Sequence, residues 1–175
     1  AWYAKDLPDI DKALSATRRP TVSLLAADGS LLTTRGDLYG IPTQANDLPI
    51  DLRQAVLATE DRRFYNHFGI DLVGIGRAAY RNFRSGRIVE GGSTITQQVA
   101  KNLFLTPERS FKRKIQEVML ALWLEHKFSK DQILTVYLNR AYLGAGTYGV
   151  DAAARRYFGV PATRLMVYES ALIAG

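Results

Sequence analysis

From residue 50 to the end of the chain, apolar residues recur at the three- and four-residue spacing of amphipathic helices. Before that point, two β-prone runs, 21–27 and 30–34, flank the pair Asp28-Gly29, which is a strong hairpin signal. The chain therefore begins its folded part with a small β-hairpin and continues as a mostly helical domain. The helices predicted from the pattern span residues 50–60, 71–85, 94–104, 110–127, 130–139, 149–157 and 166–174.

Residues 1–20 show no periodic pattern and are interrupted by Pro8 and Pro20, which predicts a linker rather than part of the fold. The chain opens on Ala1 and stops at Gly175 within an apolar helical pattern. We therefore expect a longer parent protein, with the folded domain covering residues 21–175.

Composition places the chain among ordinary globular proteins and indicates the sign of the charge that its partner carries. Its 175 residues are 47% hydrophobic and 23% charged, which is enough for one domain with a core. The net charge of +6 favours an anionic partner, which leaves nucleic acid, anionic lipid and a phosphorylated substrate open. The absence of cysteine excludes disulfides and thiolate metal sites.

Paired carboxylates, Glu60 and Asp61, end the first predicted helix, and Phe64 and His67 follow closely. A carboxylate in this position can act as a general base if a substrate hydroxyl comes within hydrogen-bond reach. The alternative is a solvated acidic turn, because most acidic residues lie in water. For His67 we expect a hydrogen-bonded structural role beside the carboxylates.

The segment 70–90 mixes large apolar residues with four arginines, Arg77, Arg81, Arg84 and Arg87. A basic amphipathic segment of this kind can lie in a membrane interface. A core-facing helix with a basic outer surface explains the same pattern, and the sequence leaves both interpretations open.

The stretch after residue 90 predicts a capped helix with a polar ligand-binding face. Thr94 and Gln97 fit a capping box, so the helix should begin near Thr94. Thr94, Gln97, Gln98 and Lys101 share one face of that helix. The face carries amides and a hydroxyl, which suit a sugar, and the helix start suits an anion. The cap alone would explain Thr94 and Gln97 without any ligand.

The next predicted helix places cations where its own dipole disfavours them. Ser110 is the expected cap, and Lys112, Arg113 and Lys114 occupy the first turn, with Arg109 just outside. Each charge costs on the order of 0.3–1 kcal/mol at that end of a helix. The arrangement makes physical sense if an anion binds there.

Glu117 follows one turn later on the same helix. Either Glu117 forms an ion pair with Arg113, or it is a second functional carboxylate that the cations orient. The apolar residues predicted to form the buried stripe of this helix are Ile115, Val118, Met119 and Leu122.

Five motifs in order resemble the signature motifs of the peptidoglycan glycosyltransferase domain, which occurs in class A penicillin-binding proteins and monofunctional glycosyltransferases. They are Glu-Asp-x-x-Phe-x-x-His-x-Gly at 60–69, Gly-Gly-Ser-Thr-Ile-Thr-Gln-Gln-x-x-Lys-Asn at 91–102, Arg-Lys-x-x-Glu at 113–117, Ile-Leu-x-x-Tyr-Leu-Asn at 133–139 and Arg-Tyr-Phe-Gly at 156–159. Glu90 and Thr135 depart from the residues common in that family, at positions without a catalytic role.

The resemblance implies a lysozyme-like, mostly α fold with a head lobe and a membrane-facing jaw lobe near residues 70–90. It implies polymerisation of lipid II with inversion and release of undecaprenyl diphosphate, with Glu60 as general base and Glu117 as the second essential carboxylate. The positions it assigns to substrate binding are Asp61, Phe64, His67, Ser93, Thr94, Gln97, Gln98, Lys101, Asn102, Arg109, Arg113, Lys114 and Tyr142.

The expected partners are lipid II, the growing lipid-linked glycan and a membrane surface, with no nucleic acid. The resemblance also implies an N-terminal membrane anchor, a C-terminal transpeptidase domain and a location on the outer face of the bacterial cytoplasmic membrane. No cofactor is evident, and a Mg²⁺ or Mn²⁺ ion assisting the diphosphate stays open. Two alternatives remain at this point: a lysozyme-like hydrolase, and a non-enzymatic binder of membranes or nucleic acid.

Overall fold

A computed structural model describes most of the chain, and the predicted linker over residues 1–20 lies outside the described part. The described residues are 22–28, 31–35, 38–89, 91–105 and 110–175. Seven α-helices account for most of them: α1 Ile50–Glu60, α2 Leu72–Ser85, α3 Ile95–Phe104, α4 Phe111–Lys127, α5 Lys130–Arg140, α6 Val150–Phe158 and α7 Val167–Ala174. Every predicted helix is confirmed to within one residue at each end.

Two short sheets accompany the helices. Strands β1 (Val22–Leu25) and β2 (Leu31–Arg35) pair antiparallel, which confirms the predicted hairpin. Strands β3 (Leu38–Tyr39) and β4 (Thr147–Tyr148) pair in parallel, and the sequence pattern did not indicate them. The mostly helical fold with a short N-terminal hairpin is confirmed and is consistent with a lysozyme-like architecture. Its division into head and jaw lobes stays a prediction.

Side-chain caps explain where three of the helices begin. The hydroxyls of Thr94, Ser110 and Ser129 accept hydrogen bonds from the backbone amide three residues on, at 3.2, 3.1 and 3.2 Å. Each bond satisfies one of the amides that the first turn of a helix leaves without a partner. The caps predicted at Thr94 and Ser110 are therefore confirmed, and Ser129 caps α5 in the same way.

Helix α3 occupies the centre of the helical body. It packs against both α4 and α5, while α7 packs against α1. The buried core between them includes Leu52, Phe64, Ile95, Leu134 and Leu138. Because α3 is enclosed on two sides, its first turn has a fixed position relative to the ends of α1 and α4.

The buried face of α4 differs from the predicted stripe, which was wrong. Ile115 and Leu122 are exposed, and Val118 and Met119 are only half-buried. The buried positions are instead Glu117, Leu120, Ala121, Leu124 and Glu125. Two glutamates on the core face explain the error, because a pattern of apolar residues assigns charged positions to solvent.

Helix α2 has little contact with the body. Among its residues only Gly74 and Ala78 are buried. Leu72 and Phe83 are 77% and 88% exposed, so the interpretation of α2 as a core-facing helix was wrong for its large apolar side chains. No helix within the described residues is both long and apolar enough to cross a bilayer.

Candidate active site

A cleft of about 420 Å³ opens where the end of α1, the helix α2 and the segment before α3 come together. Its lining is mainly polar and includes Glu60, Arg62, Arg77, Arg81, Ser93 and Gln98. One carboxylate therefore lies among three guanidinium groups. The cleft is suited to a substrate that carries both a hydroxyl and negative charge.

Glu60 is the last residue of α1, and its side chain is exposed to the cleft. Its Oε2 accepts a hydrogen bond of 2.6 Å from Nε2 of Gln98 on α3. This contact explains the presence of Gln98, which the helix cap alone does not explain. The bond also fixes the orientation of the carboxylate.

Asp61, the next residue, is buried and attaches the end of α1 to the start of α3. Its two carboxylate oxygens each lie 3.0 Å from Nε2 of His67, and Oδ2 also accepts from the backbone amide of Ile95 at 3.0 Å. A carboxylate at a helix N-terminus interacts favourably with the helix dipole. His67 packs edge-on against the buried ring of Phe64, which agrees with the hydrogen-bonded structural role expected for it.

Thr94 and Gln97 are both buried and bind other parts of the protein. The Thr94 hydroxyl donates to the carbonyl of Gly69 at 2.7 Å. The Gln97 side-chain oxygen accepts from Nζ of Lys114 at 3.2 Å. Of the predicted polar face, these two positions therefore face the body, whereas Gln98 faces the cleft.

Lys114 connects the second carboxylate to the cleft. Its Nζ donates to Oγ of Ser93 at 3.0 Å and to Oε1 of Glu117 at 2.5 Å. The Glu117 side chain is only 4% exposed, and the ion pair the structure shows for it is with Lys114 rather than with Arg113. Glu60 and Glu117 are therefore both linked to the start of α3, Glu60 through Gln98 and Glu117 through Lys114.

We call the partly buried polar contacts between the loop after α1, the start of α3 and the first turns of α4 the polar junction. Its members are Asp61, His67, Thr94, Gln97, Lys114 and Glu117. The junction holds the segments that carry Glu60, Ser93 and Gln98 in fixed positions.

The other predicted site residues lie away from the described lining of the cleft. Lys101 is half-buried and Asn102 is exposed, both near the end of α3. Arg113 is half-buried in the first turn of α4, and Tyr142 is exposed with its ring 5.1 Å from that of Tyr148. Arg109 lies outside the described residues.

Three arginines in the cleft were not predicted as site residues. Arg77 and Arg81 are one turn apart on α2, so they share a face, and Arg62 follows the two carboxylates. The four-residue spacing was visible in the sequence. Which element faces α2 was not, because that depends on the tertiary fold.

Tyr137 on α5 is a buried motif residue that senses the charge of Glu60. Burial, and after it the negative charge of Glu60, raise the pKa of the Tyr137 phenol far above its ordinary value. The phenol therefore stays protonated and adds no negative charge near Glu60.

The described residues contain no group of three or more His, Cys, Asp or Glu side chains arranged to hold a metal ion. The positive charge of the cleft comes from side chains instead. Such a lining can stabilise a polyanionic group directly.

A helical body that sets one carboxylate among arginines, beside a second carboxylate paired with lysine, is consistent with an enzyme that transfers a glycosyl group from a phosphorylated donor. The transglycosylase family matches residues 28–175, and the chain belongs to that family. This confirms the family identified from the five motifs.

Several penicillin-binding proteins are similar to the chain. Penicillin-binding protein 1A of Aquifex aeolicus is 50% identical over 97% of the chain, and that of Escherichia coli K12 is 46% identical over 99%. Penicillin-binding protein 1F of Bacillus subtilis is 50% identical over 76%. The chain spans 23%, 20% and 19% of these three relatives, about a fifth of their length.

Proposed function

We propose that the chain is a cell-wall glycosyltransferase that polymerises lipid II into β-1,4-linked glycan and releases undecaprenyl diphosphate. The observation that carries the proposal is the placement of Glu60, held by Gln98, in a cleft lined by arginines. A sugar hydroxyl and a diphosphate are the two groups that such a lining would recognise. Membership of the transglycosylase family supports the same reaction class.

In this reaction Glu60 takes the proton from the 4-hydroxyl of the acceptor sugar. The hydroxyl oxygen bonds to the anomeric carbon of the donor, and the bond from that carbon to the diphosphate breaks. One displacement inverts an α-linked donor into a β-linked product, so no covalent enzyme intermediate is needed. Gln98 supports the step by orienting the carboxylate through its bond to Oε2.

The leaving diphosphate needs positive charge rather than a proton. Arg62, Arg77 and Arg81 line the cleft, and Lys114 lies behind Ser93. In our proposal these groups stabilise the charge that develops as the bond breaks. From the motif resemblance we propose Lys101, Arg109 and Arg113 as further diphosphate ligands.

A divalent cation fits this site only together with substrate. The Asp61 oxygens are already bound to His67 and to the amide of Ile95, and Glu117 is paired with Lys114. We therefore propose that Mg²⁺ or Mn²⁺, where it assists, is held mainly by the phosphate oxygens of the substrate.

We further propose that the enzyme acts on the outer face of the cytoplasmic membrane, with α2 against the lipid. The exposed Leu72 and Phe83 and the arginines of α2 support this placement. The length of the relatives supports a further, transpeptidase domain in the full-length protein. Nucleic acid has no part in this proposal.

Labelled lipid II in detergent, followed by sizing of the products, tests the function. The wild-type chain should form glycan polymer, and Glu60→Gln should lower the rate by about 10²–10⁴-fold, as expected for loss of a general base. Because Glu60 is exposed, the variant should unfold at the same temperature as wild type.

Two other results would contradict the proposal. Soluble muropeptides released from cell wall without lipid substrate would identify a hydrolase. Salt-sensitive binding to vesicles or DNA by a wild-type chain without any polymerisation would identify a binder.

A further inference from the structure

Glu125 is a buried carboxylate that no step of the proposed reaction uses. It lies on the core face of α4 two turns after Glu117, and its side chain is only 3% exposed. A carboxylate in such a position is costly unless it is paired and hydrogen-bonded. Its partners therefore indicate what it does.

One oxygen of Glu125 joins three helices. Oε1 accepts a hydrogen bond of 2.5 Å from the hydroxyl of Thr96 and another of 2.7 Å from Nζ of Lys130. Thr96 is fully buried in the first turn of α3, and Lys130 is the first residue of α5. The carboxylate thus fixes the starts of α3 and α5 against α4.

The loop that follows Glu60 rests on the same group. Nζ of Lys130 lies 4.4 Å from the centroid of the buried Phe64 ring, within the range of a cation–π contact. A Cβ at Gly69 would lie 3.3 Å from Cγ of Glu125. Phe64 and Gly69 both belong to the loop 61–69. Glu125 therefore packs against this loop at Gly69 and reaches Phe64 through Lys130.

We propose that Glu125 is a positioning residue that holds Glu60 in register with Gln98. Glu60 precedes the supported loop, and Gln98 lies on α3 half a turn after Thr96, so both partners of the 2.6 Å bond depend on Glu125. Glu125 contacts no substrate in this role. The inference rests on the proposed function, since it assigns the carboxylate a part in that reaction.

The variant Glu125→Met removes the acceptor while keeping the length of the side chain. We expect kcat for lipid II polymerisation to fall about tenfold or more with KM within about twofold, because a small displacement of a catalytic group is costly in the transition state. The matched control is Asp151→Asn, which alters another buried, ion-paired carboxylate on α6. The control should lose stability while keeping its kcat.

A triple variant separates positioning from stability. Thr96→Val, Glu125→Met and Lys130→Met together replace the polar contact by apolar side chains, which commonly restores stability. We expect the melting temperature to recover while kcat stays low. Glu125→Gln keeps an acceptor oxygen for Thr96 and should recover kcat to within about threefold of wild type.

Recovery of kcat in step with the melting temperature in the triple variant would overturn the proposal. A second readout needs no activity: hydrogen exchange of residues 61–69 should be faster in the triple variant than in wild type, and unchanged in Asp151→Asn. If wild type forms no polymer, the proposed function fails, whereas the exchange rates still decide whether Glu125 fixes the loop.

Discussion

The cleft is lined by segments that the polar junction holds in place and by helix α2, and these two regions are built in different ways. In the junction, Asp61, Gln97 and Glu117 are buried. Asp61 and Gln97 each bond to another segment, and Glu117 bonds to Lys114 on its own helix, which in turn bonds to Ser93. In α2 only two small residues are buried, and the large apolar side chains face outward. The wall that carries the proposed catalytic carboxylate is therefore fixed, whereas the wall that supplies two arginines is attached by few buried groups.

This difference has a physical consequence for catalysis. A fixed wall would keep the proposed general base and its partner Gln98 oriented before substrate arrives, which lowers the cost of reorganisation. Regions with few buried apolar contacts open at lower free energy than the core. We expect the cleft to admit a lipid-linked substrate by movement on the α2 side.

Among changes to these two regions, the largest effect is expected from breaking the junction at Asp61. Asp61→Asn removes the charge that binds His67 and the amide of Ile95, so stability should fall by about 2 kcal/mol and polymerisation by about thirtyfold. Urea unfolding and the lipid II assay measure the two effects. Asp131→Asn, which alters an exposed carboxylate bonded to Tyr65, is the control and should change neither. Equal behaviour of the two variants would show that the junction is not what fixes Glu60.

The sequence predicted what local physics determines. Helix bounds follow from periodicity and caps, and the motifs identified Glu60 and Glu117, which the structure brings to one helix start. The role of Arg77 and Arg81 could not be predicted in this way, because it depends on which element faces α2.

Buried charge explains the error in α4. Glu117 and Glu125 are stable on its core face because Lys114 and Lys130 pair with them, and no apolar pattern reveals such pairing. The parallel pairing of β3 with β4 was also not predicted, because it joins Leu38 to Thr147, which are far apart in the sequence.

The next largest effect concerns the arginines of α2. Arg77→Gln with Arg81→Gln should raise KM for lipid II about tenfold and also lower kcat, because the two arginines are proposed to bind the diphosphate and to stabilise its developing charge. The melting temperature should not change, because both residues are exposed. Arg84→Gln, on the same helix but outside the described lining, is the matched control. A KM as high in the control as in the double variant would mean that α2 supplies only general positive charge.

A smaller effect is expected from the outward face of α2. Leu72→Ser with Phe83→Ser should weaken binding to vesicles containing anionic lipid about fivefold, since part of two large apolar side chains would leave the interface. Thermal unfolding should not change, as both residues are exposed. Leu172→Ser alters an equally exposed apolar residue on α7 and should bind vesicles as wild type does. If Leu172→Ser weakens binding as much, the lipid-facing surface is not confined to α2.

The smallest effect concerns Asp151, a buried carboxylate on α6 away from the cleft. It tests whether the charge of that carboxylate stabilises the fold. Burial alone would raise the pKa of Asp151, but hydrogen bonds from Arg155 and from the amides of Ala162 and Ile41 outweigh it and hold the pKa below its ordinary value. The ionised group therefore stabilises the fold above the unfolded pKa of about 4, and this contribution is lost as the pH falls through the lower folded pKa.

The variant Asp151→Asn lacks this contribution at every pH. In urea unfolding, the difference in stability between wild type and variant should be largest at neutral pH and should narrow below pH of about 4. A difference that stays constant down to the acid limit would mean that packing, rather than charge, is what Asp151 contributes.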